Sequence, residues 1–160
     1  MKIKVVSNST PLIALARIGR FYLLQELFAA IHIPSAVYDE VVNAGKGRAG
    51  VSEVENASWI IHHQVKNGDL VDFLRISLDA GEAEAIDLTR EISANLVLLD
   101  DGDARNIAGS VKIDFTGTIG ILLRYYQGRP ANFKEALDAL ISQGFRISKA
   151  EYLRIIKQAQ

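Results

Sequence analysis

The chain contains no cysteine, so structural disulfides and thiolate metal sites are both excluded. It has no excess of basic charge: 18 Lys and Arg stand against 19 Asp and Glu. Any contact with nucleic acid therefore has to come from local clustering, not from a global field. No apolar run approaches the roughly 18 residues that cross a bilayer. The opening segment from Met1 to Ser7 has a basic flank, but its apolar run is shorter than the roughly 7–15 residues of a signal peptide. These absences predict a soluble, cytoplasmic protein with no membrane partner. There is no internal repeat, low-complexity tract or linker, which favours one domain over residues 1–160. The nucleotide-binding loops are missing too: no Gly-x-x-x-x-Gly-Lys-[Ser/Thr], and no Gly-x-Gly-x-x-Gly after the first strand. Gly45-Lys46-Gly47 follows a helix and reads as a surface loop.

What the chain does have is enough apolar residues, 49% of 160, to bury a sizeable core. The β-branched run from Ile3 to Val6 predicts a strand, halted by Ser7-Asn8-Ser9-Thr10. Thr10 is a candidate N-cap for a helix opened by Pro11 and carrying Leu12, Leu15 and Ile18. A second helix is expected after Gly19, with Leu23, Leu24, Leu27 and Phe28 inward. Ile31-His32-Ile33 reads as a strand stopped by Pro34, and Ser35 as the cap of a helix through Val37, Tyr38, Val41 and Val42. Gly45, Gly47 and Gly50 mark a loop. A strand near Trp59-Ile60-Ile61 and a helix near Leu70–Leu74 follow. Gly81 precedes a helix with Ala85, Ile86 and Leu88, and 95–99 forms an apolar strand ending in Asp100-Asp101-Gly102-Asp103. A helix over 104–108, a strand near Ile113 and Phe115, and a helix opened by Thr116-Gly117-Thr118 come next. Amphipathic helices over 133–141 and 150–156 finish the order. Strands alternating with helices, and apolar throughout, predict an α/β sandwich around a mostly parallel sheet covered on both faces.

In open α/β sheets ligands bind beyond the carboxyl ends of the strands. Polar residues directly after strands are therefore the candidates: Ser7 to Thr10, then Asp100, Asp101 and Asp103, then Thr116 and Thr118, with Glu40 and Glu82 on adjoining helices. Carboxylates crowded at one sheet end raise one another's pKa, and a hard divalent cation relieves the repulsion. Oxygen-only ligands select Mg²⁺ or Mn²⁺, a chemistry suited to phosphodiester hydrolysis. Each residue has a plainer role as well. Asp100, Asp101 and Glu82 suit helix first turns, Glu40 a solvent-facing position, Asn8 a turn, and Thr116 and Thr118 helix caps. His32, His62 and His63 show no metal-ligand spacing, and His62 and His63 should point to opposite faces of a strand.

The run from Val5 to Leu15 is similar to the opening of PIN-domain proteins, in particular of their VapC-like branch. Further similarity lies at Ile33-Pro34-Ser35-Ala36-Val37-Tyr38-Asp39-Glu40-Val41-Val42, Gly81-Glu82-Ala83-Glu84-Ala85-Ile86 and Leu98-Leu99-Asp100-Asp101 through Arg105. Thr116-Gly117-Thr118-Ile119-Gly120-Ile121-Leu122 and Gly144-Phe145-Arg146-Ile147-Ser148 complete it. The resemblance implies a Rossmann-like three-layer sandwich. It also implies a Mg²⁺- or Mn²⁺-dependent endoribonuclease acting on RNA as the toxin of a type II pair, with a cognate antitoxin and homodimerisation. Carried onto this chain, Asn8 takes the place of the first acid, Glu40 of the second and Glu82 of the third. Asp100 takes the fourth, with Asp101 and Asp103 as alternatives, and Thr116 matches a hydroxyl that orders the site. The metal set is then Glu40, Glu82 and the Asp100, Asp101 and Asp103 cluster. Asn8 departs from the usual aspartate, offering a carbonyl oxygen but no charge.

Arg17, Arg105 and Arg124 are candidates for the phosphate backbone, although each also suits a solvated helix face. Two other functions compete. One is a PIN-fold binding module without turnover, favoured by Asn8. The other is a receiver-like signalling domain, disfavoured because Asn8-Ser9-Thr10 replaces the acid pair such domains carry after the first strand, and Thr116 stands where they need a lysine.

Overall fold

The computed structural model describes residues 3–66 and 68–160. Met1 and Lys2, at the head of the first expected strand, and Asn67 lie outside the described residues. In chain order the elements are β1 (Val5–Ser7), α1 (Ser9–Arg17), α2 (Tyr22–Phe28), β2 (Ile31–Pro34) and α3 (Ser35–Tyr38), which continues as a π-helical turn over Asp39–Asn43. Next come α4 (Val51–Asn56), β3 (Ile60–His63), α5 (Gly68–Leu74), α6 (Ala80–Glu91) and β4 (Leu96–Leu98). The chain ends with α7 (Gly102–Ser110), β5 (Phe115–Thr116), α8 (Thr118–Tyr125), α9 (Pro130–Ser142) and α10 (Lys149–Ala159).

Among the described residues five strands form one sheet in the order β3-β2-β1-β4-β5, every neighbouring pair parallel. Strand side chains alternate between two faces, so consecutive apolar residues feed two separate cores. Val5, Leu96 and Leu98 pack into one, with α1, α2, α8 and α9 over them. Val6, Val97 and Leu99 pack into the other, beneath α5, α6 and α7. This is the expected three-layer α/β/α sandwich. Among the described residues, no helix is long and apolar enough to cross a membrane.

The register aligns the strand ends that matter. Ser7 faces Leu98, and Leu98 faces Thr116, so the residues after β1, β4 and β5 emerge side by side. The chain runs from β1 outward through β2 and β3, then returns to the opposite side of β1 for β4. The switch point lies between β1 and β4, where α/β sheets open a crevice.

Several boundaries differ from expectation for identifiable reasons. Asn8, not Thr10, occupies the N-cap of α1: its N–H still bonds Leu98 O at 3.0 Å, so it closes the sheet and starts the helix together. Ser35 is the first residue of α3 and does not cap it; its hydroxyl donates to His63 O at 3.2 Å. The helix expected after Gly81 begins two residues earlier, at Ala80, and takes Gly81 into its first turn because Asp79 caps it. The strand expected over 95–99 is shorter, and α4 lies where only a glycine loop and a following strand were expected.

Candidate active site

Asn8 is 4% exposed at the end of β1. The hydroxyl of Ser9, its neighbour, donates to Glu40 Oε2 at 2.7 Å. Glu40 can reach it because α3 loosens into the π-helical turn, which buries Val41 and Val42 and leaves Glu40 at the surface beside α1. Inserted turns of this kind recur at functional sites. Against the pair sits Gly81, in the first turn of α6. A Cβ there would lie 3.0 Å from Asn8 Oδ1, 3.1 Å from Glu40 Oε2 and 3.6 Å from Asp79 Oδ1. The missing side chain leaves a cradle in which three oxygens converge.

Glu82 and Asp79 form a reciprocal cap. Asp79 Oδ1 accepts the Glu82 N–H at 2.8 Å, and Glu82 Oε1 accepts the Asp79 N–H at 3.0 Å. Burial pushes the Glu82 carboxyl up to about 7. The Asp79 N–H acts the other way, and repulsion from Asp79 and Asp101 adds to the rise.

Asp100 follows β4 and is held twice by Thr118: its Oδ1 accepts the backbone N–H at 2.8 Å, and its Oδ2 accepts the hydroxyl at 2.6 Å. Thr118 is fully buried, so this bond pair fixes the carboxylate. Asp101 caps α7, with Oδ2 accepting the Ala104 N–H at 3.0 Å. Asp103 stands exposed in the first turn of α7. The Thr116 hydroxyl faces Gly120, at the start of α8.

A cleft of about 550 Å³ opens over this end of the sheet, lined by Asp79, Glu82, Asp100, Asp101 and Arg105 among others. Of the residues singled out from sequence, Glu82, Asp100 and Asp101 line it. Asn8 and Glu40 do not line it but meet Asp79, which does, around Gly81; Asp103 and Thr116 are not in its wall either. Arg105 reaches the wall with its Nε bonded to Leu99 O at 3.0 Å and its guanidinium over the Phe115 ring. Arg124 instead stacks over Phe28, outside the cleft wall.

One residue is missed as a site member: Asp79 carries the Asp-x-x-Glu capping signature with Glu82, which is legible in the sequence. Thr118 is a candidate by its place after a strand and also suits a helix cap, but its bond to Asp100, 18 residues away, is not visible in the sequence.

Among the described residues, no three acidic or histidine side chains already surround one point as metal ligands would. The donor set nevertheless fits a hard cation: it is all oxygen, burial and then neighbouring carboxylates raise Glu82, and the Gly81 cradle admits no side chain.

The acidic cleft thus lies at the switch point of a parallel 3-2-1-4-5 sheet, and the nuclease-type character of the fold comes from the family match. The chain belongs to the PIN-domain family: the family model described as "DUF3368: PIN domain" matches residues 4–160. No curated protein matches it.

Proposed function

We propose that the chain is a divalent-cation-dependent endoribonuclease, and that it acts as the toxin of a type II toxin–antitoxin pair. The observation that carries the catalytic part is Glu82, pushed up to about 7 in a cleft it shares with Asp79, Asp100 and Asp101. A buried carboxyl beside other acids is disfavoured in its charged form, and a bound cation relieves both the burial and the repulsion. Glu82, Asp100 and Asp101 would hold Mg²⁺ or Mn²⁺, with Glu40 and Asn8 behind them. When bound, the ion supplies a water of lowered pKa and offsets charge on the phosphoryl group.

The remaining side chains keep these oxygens in place. Thr118 fixes both oxygens of Asp100, Asp79 orients Glu82, and Ser9 ties Glu40 to the Asn8 side. Arg105, pinned by Leu99 O, presents the remaining edge of its guanidinium to a phosphate at the cleft wall. Asp103 lies in the first turn of α7, where a carboxylate suits the helix N-terminus, and Thr116 ends β5 just before α8. The toxin role, an antitoxin partner, a homodimer and a cytoplasmic setting follow from the likeness to the VapC-like branch and belong to the same proposal.

Purified protein with Mg²⁺ or Mn²⁺ should cleave single-stranded RNA, and chelation should stop it. A second reading, a binding module without turnover, is favoured by Asn8 alone, because the amide leaves the site one charge short. Under that reading the wild type shows no cleavage with either ion, and Asn8→Asp restores it.

A further inference from the structure

We propose that the acidic cleft has a separate neighbour, a subsite for one nucleotide of single-stranded RNA, built from Arg17, Phe145 and Arg146; the proposal rests on the ribonuclease reading of the cleft. The subsite is a groove of about 320 Å³ between α1 and the end of α9. Thr10, Phe145 and Arg146 line both the groove and the cleft, so the two are continuous.

The chemistry of the groove is unlike that of the cleft. Its floor is apolar, with Ile13, Ala14 and Leu140, and among the described residues no acid lines it. Arg17 and Arg146 stand at its walls, and among the described residues neither has an ion-pair or hydrogen-bond partner for its guanidinium. Two unpaired guanidiniums beside a half-buried aromatic ring match a phosphate and the base attached to it. Gln143 and Thr10 add hydrogen-bonding groups at the edge. The volume sits at the small end of ligand pockets, roughly 300–1,000 Å³, which suits one nucleotide and not a duplex.

The end of α9 explains how the aromatic and the cation reach this place. Gly144 adopts φ +98°, a left-handed conformation that favours glycine. The Phe145 N–H bonds Leu140 O at 3.0 Å and the Gly144 N–H bonds Ile141 O at 3.0 Å, the paired closure of a Schellman cap. That closure lays Phe145 against the core and sends Arg146 to the junction of groove and cleft. A flexible tail would not hold an aromatic and a guanidinium so placed. Arg17, in the last turn of α1, comes to the same groove from the opposite wall.

The test uses the full chain in EDTA, so that binding is read without cleavage, with a fluorescent single-stranded RNA oligonucleotide titrated at several salt concentrations. The Arg17→Gln/Arg146→Gln variant should bind about tenfold or more weakly. Its dependence of log affinity on log salt should flatten by about 1.4, two contacts at roughly 0.7 each. Phe145→Leu, which keeps the packing of the cap but removes the stacking ring, should lose several-fold in affinity with an unchanged salt slope. Thermal melting of each variant verifies folding. If the wild type cleaves RNA with Mn²⁺ but the double variant binds with the same affinity and slope, the subsite is wrong and the nuclease stands. If an acidic peptide binds the wild type and not the double variant while RNA affinity is unchanged, the groove is a protein-docking site and the proposal falls. If the wild type neither binds nor cleaves RNA, the ribonuclease reading falls and the subsite with it.

Discussion

The two hollows that meet at Thr10 and Arg146 differ in how their charges are held. In the cleft the carboxylates accept hydrogen bonds from buried or backbone donors: Asp100 from Thr118, Glu82 from Asp79, and Asp101 from Ala104. In the groove the guanidiniums of Arg17 and Arg146 have no partner among the described residues. Fixed acids suit a group whose geometry must not vary, since reacting atoms tolerate little misplacement. Free cations on an apolar floor suit a chain that has to be gripped and released. The comparison divides the proposed reaction into a rigid half and an adaptable half, joined across a few residues.

The largest effect should come from loosening the rigid half. Thr118→Val removes the hydroxyl bond to Asp100 while keeping the shape of the side chain. RNA cleavage should fall by about 10–100-fold, the usual loss when a group orienting a ligand is removed. Thr118→Ser should recover most of it. Equal loss in both variants would mean that Thr118 acts only through packing. Gly81→Ala should come next. Its Cβ would approach Asn8 Oδ1 at 3.0 Å and Glu40 Oε2 at 3.1 Å, which pushes that pair out of the cradle. Mn²⁺ affinity, read by calorimetry, should drop by about tenfold. Full retention would show that the cradle plays no part in cation binding.

The pH dependence of the cleft gives a smaller, graded effect. With Glu82 raised to about 7, a cation must displace a proton below that pH. Mn²⁺ affinity should therefore rise with pH through about 7, by up to about tenfold per pH unit on the acid side. Glu82→Gln should flatten the profile.

The smallest expected effect lies on the opposite end of α6 and serves as a control on the comparison. Asp87 is 1% exposed, its Oδ2 has no hydrogen-bond partner among the described residues, and burial followed by the Glu91 carboxyl pushes it up to about 6. A carboxyl raised on folding adds stability fully present below its unfolded pKa, which is lost as pH rises through the folded value. The protein should lose stability between about pH 4 and 6 on this account. Asp87→Asn should raise Tm by a few degrees at pH 7 and change it little at pH 4, leaving cleavage intact. An equal gain at both pH values would mean that charge is not the cause.

Much of this architecture is readable along the chain because its signals are local. The run Val5-Val6 announces a strand buried on both faces, and the polar residues after it mark the sheet end. Asp79 is equally readable three residues before Glu82, although Gly81 suggests a later start for α6 than the one its cap sets. Other parts depend on contacts between distant segments. Thr118 reaches Asp100 only because β5 pairs with β4 and delivers α8 beside it. Glu40 is a surface glutamate, as its sequence neighbours suggest, and only the structure shows that from the π-helical turn it accepts a hydrogen bond from the Ser9 hydroxyl. Asp101 and Asp103 illustrate the limit of a short acidic run: composition groups them, but helix phase puts one in the cleft wall and the other outside it.

Asn8 ties the two ends of the account together, since it closes β1, starts α1 and faces the Gly81 cradle. The most direct measurement is Mn²⁺-dependent cleavage of single-stranded RNA by wild type, Glu82→Gln and Asn8→Asp side by side. The account predicts cleavage by the wild type, loss in Glu82→Gln, and equal or greater activity in Asn8→Asp. Cleavage by Glu82→Gln at the wild-type rate would contradict it.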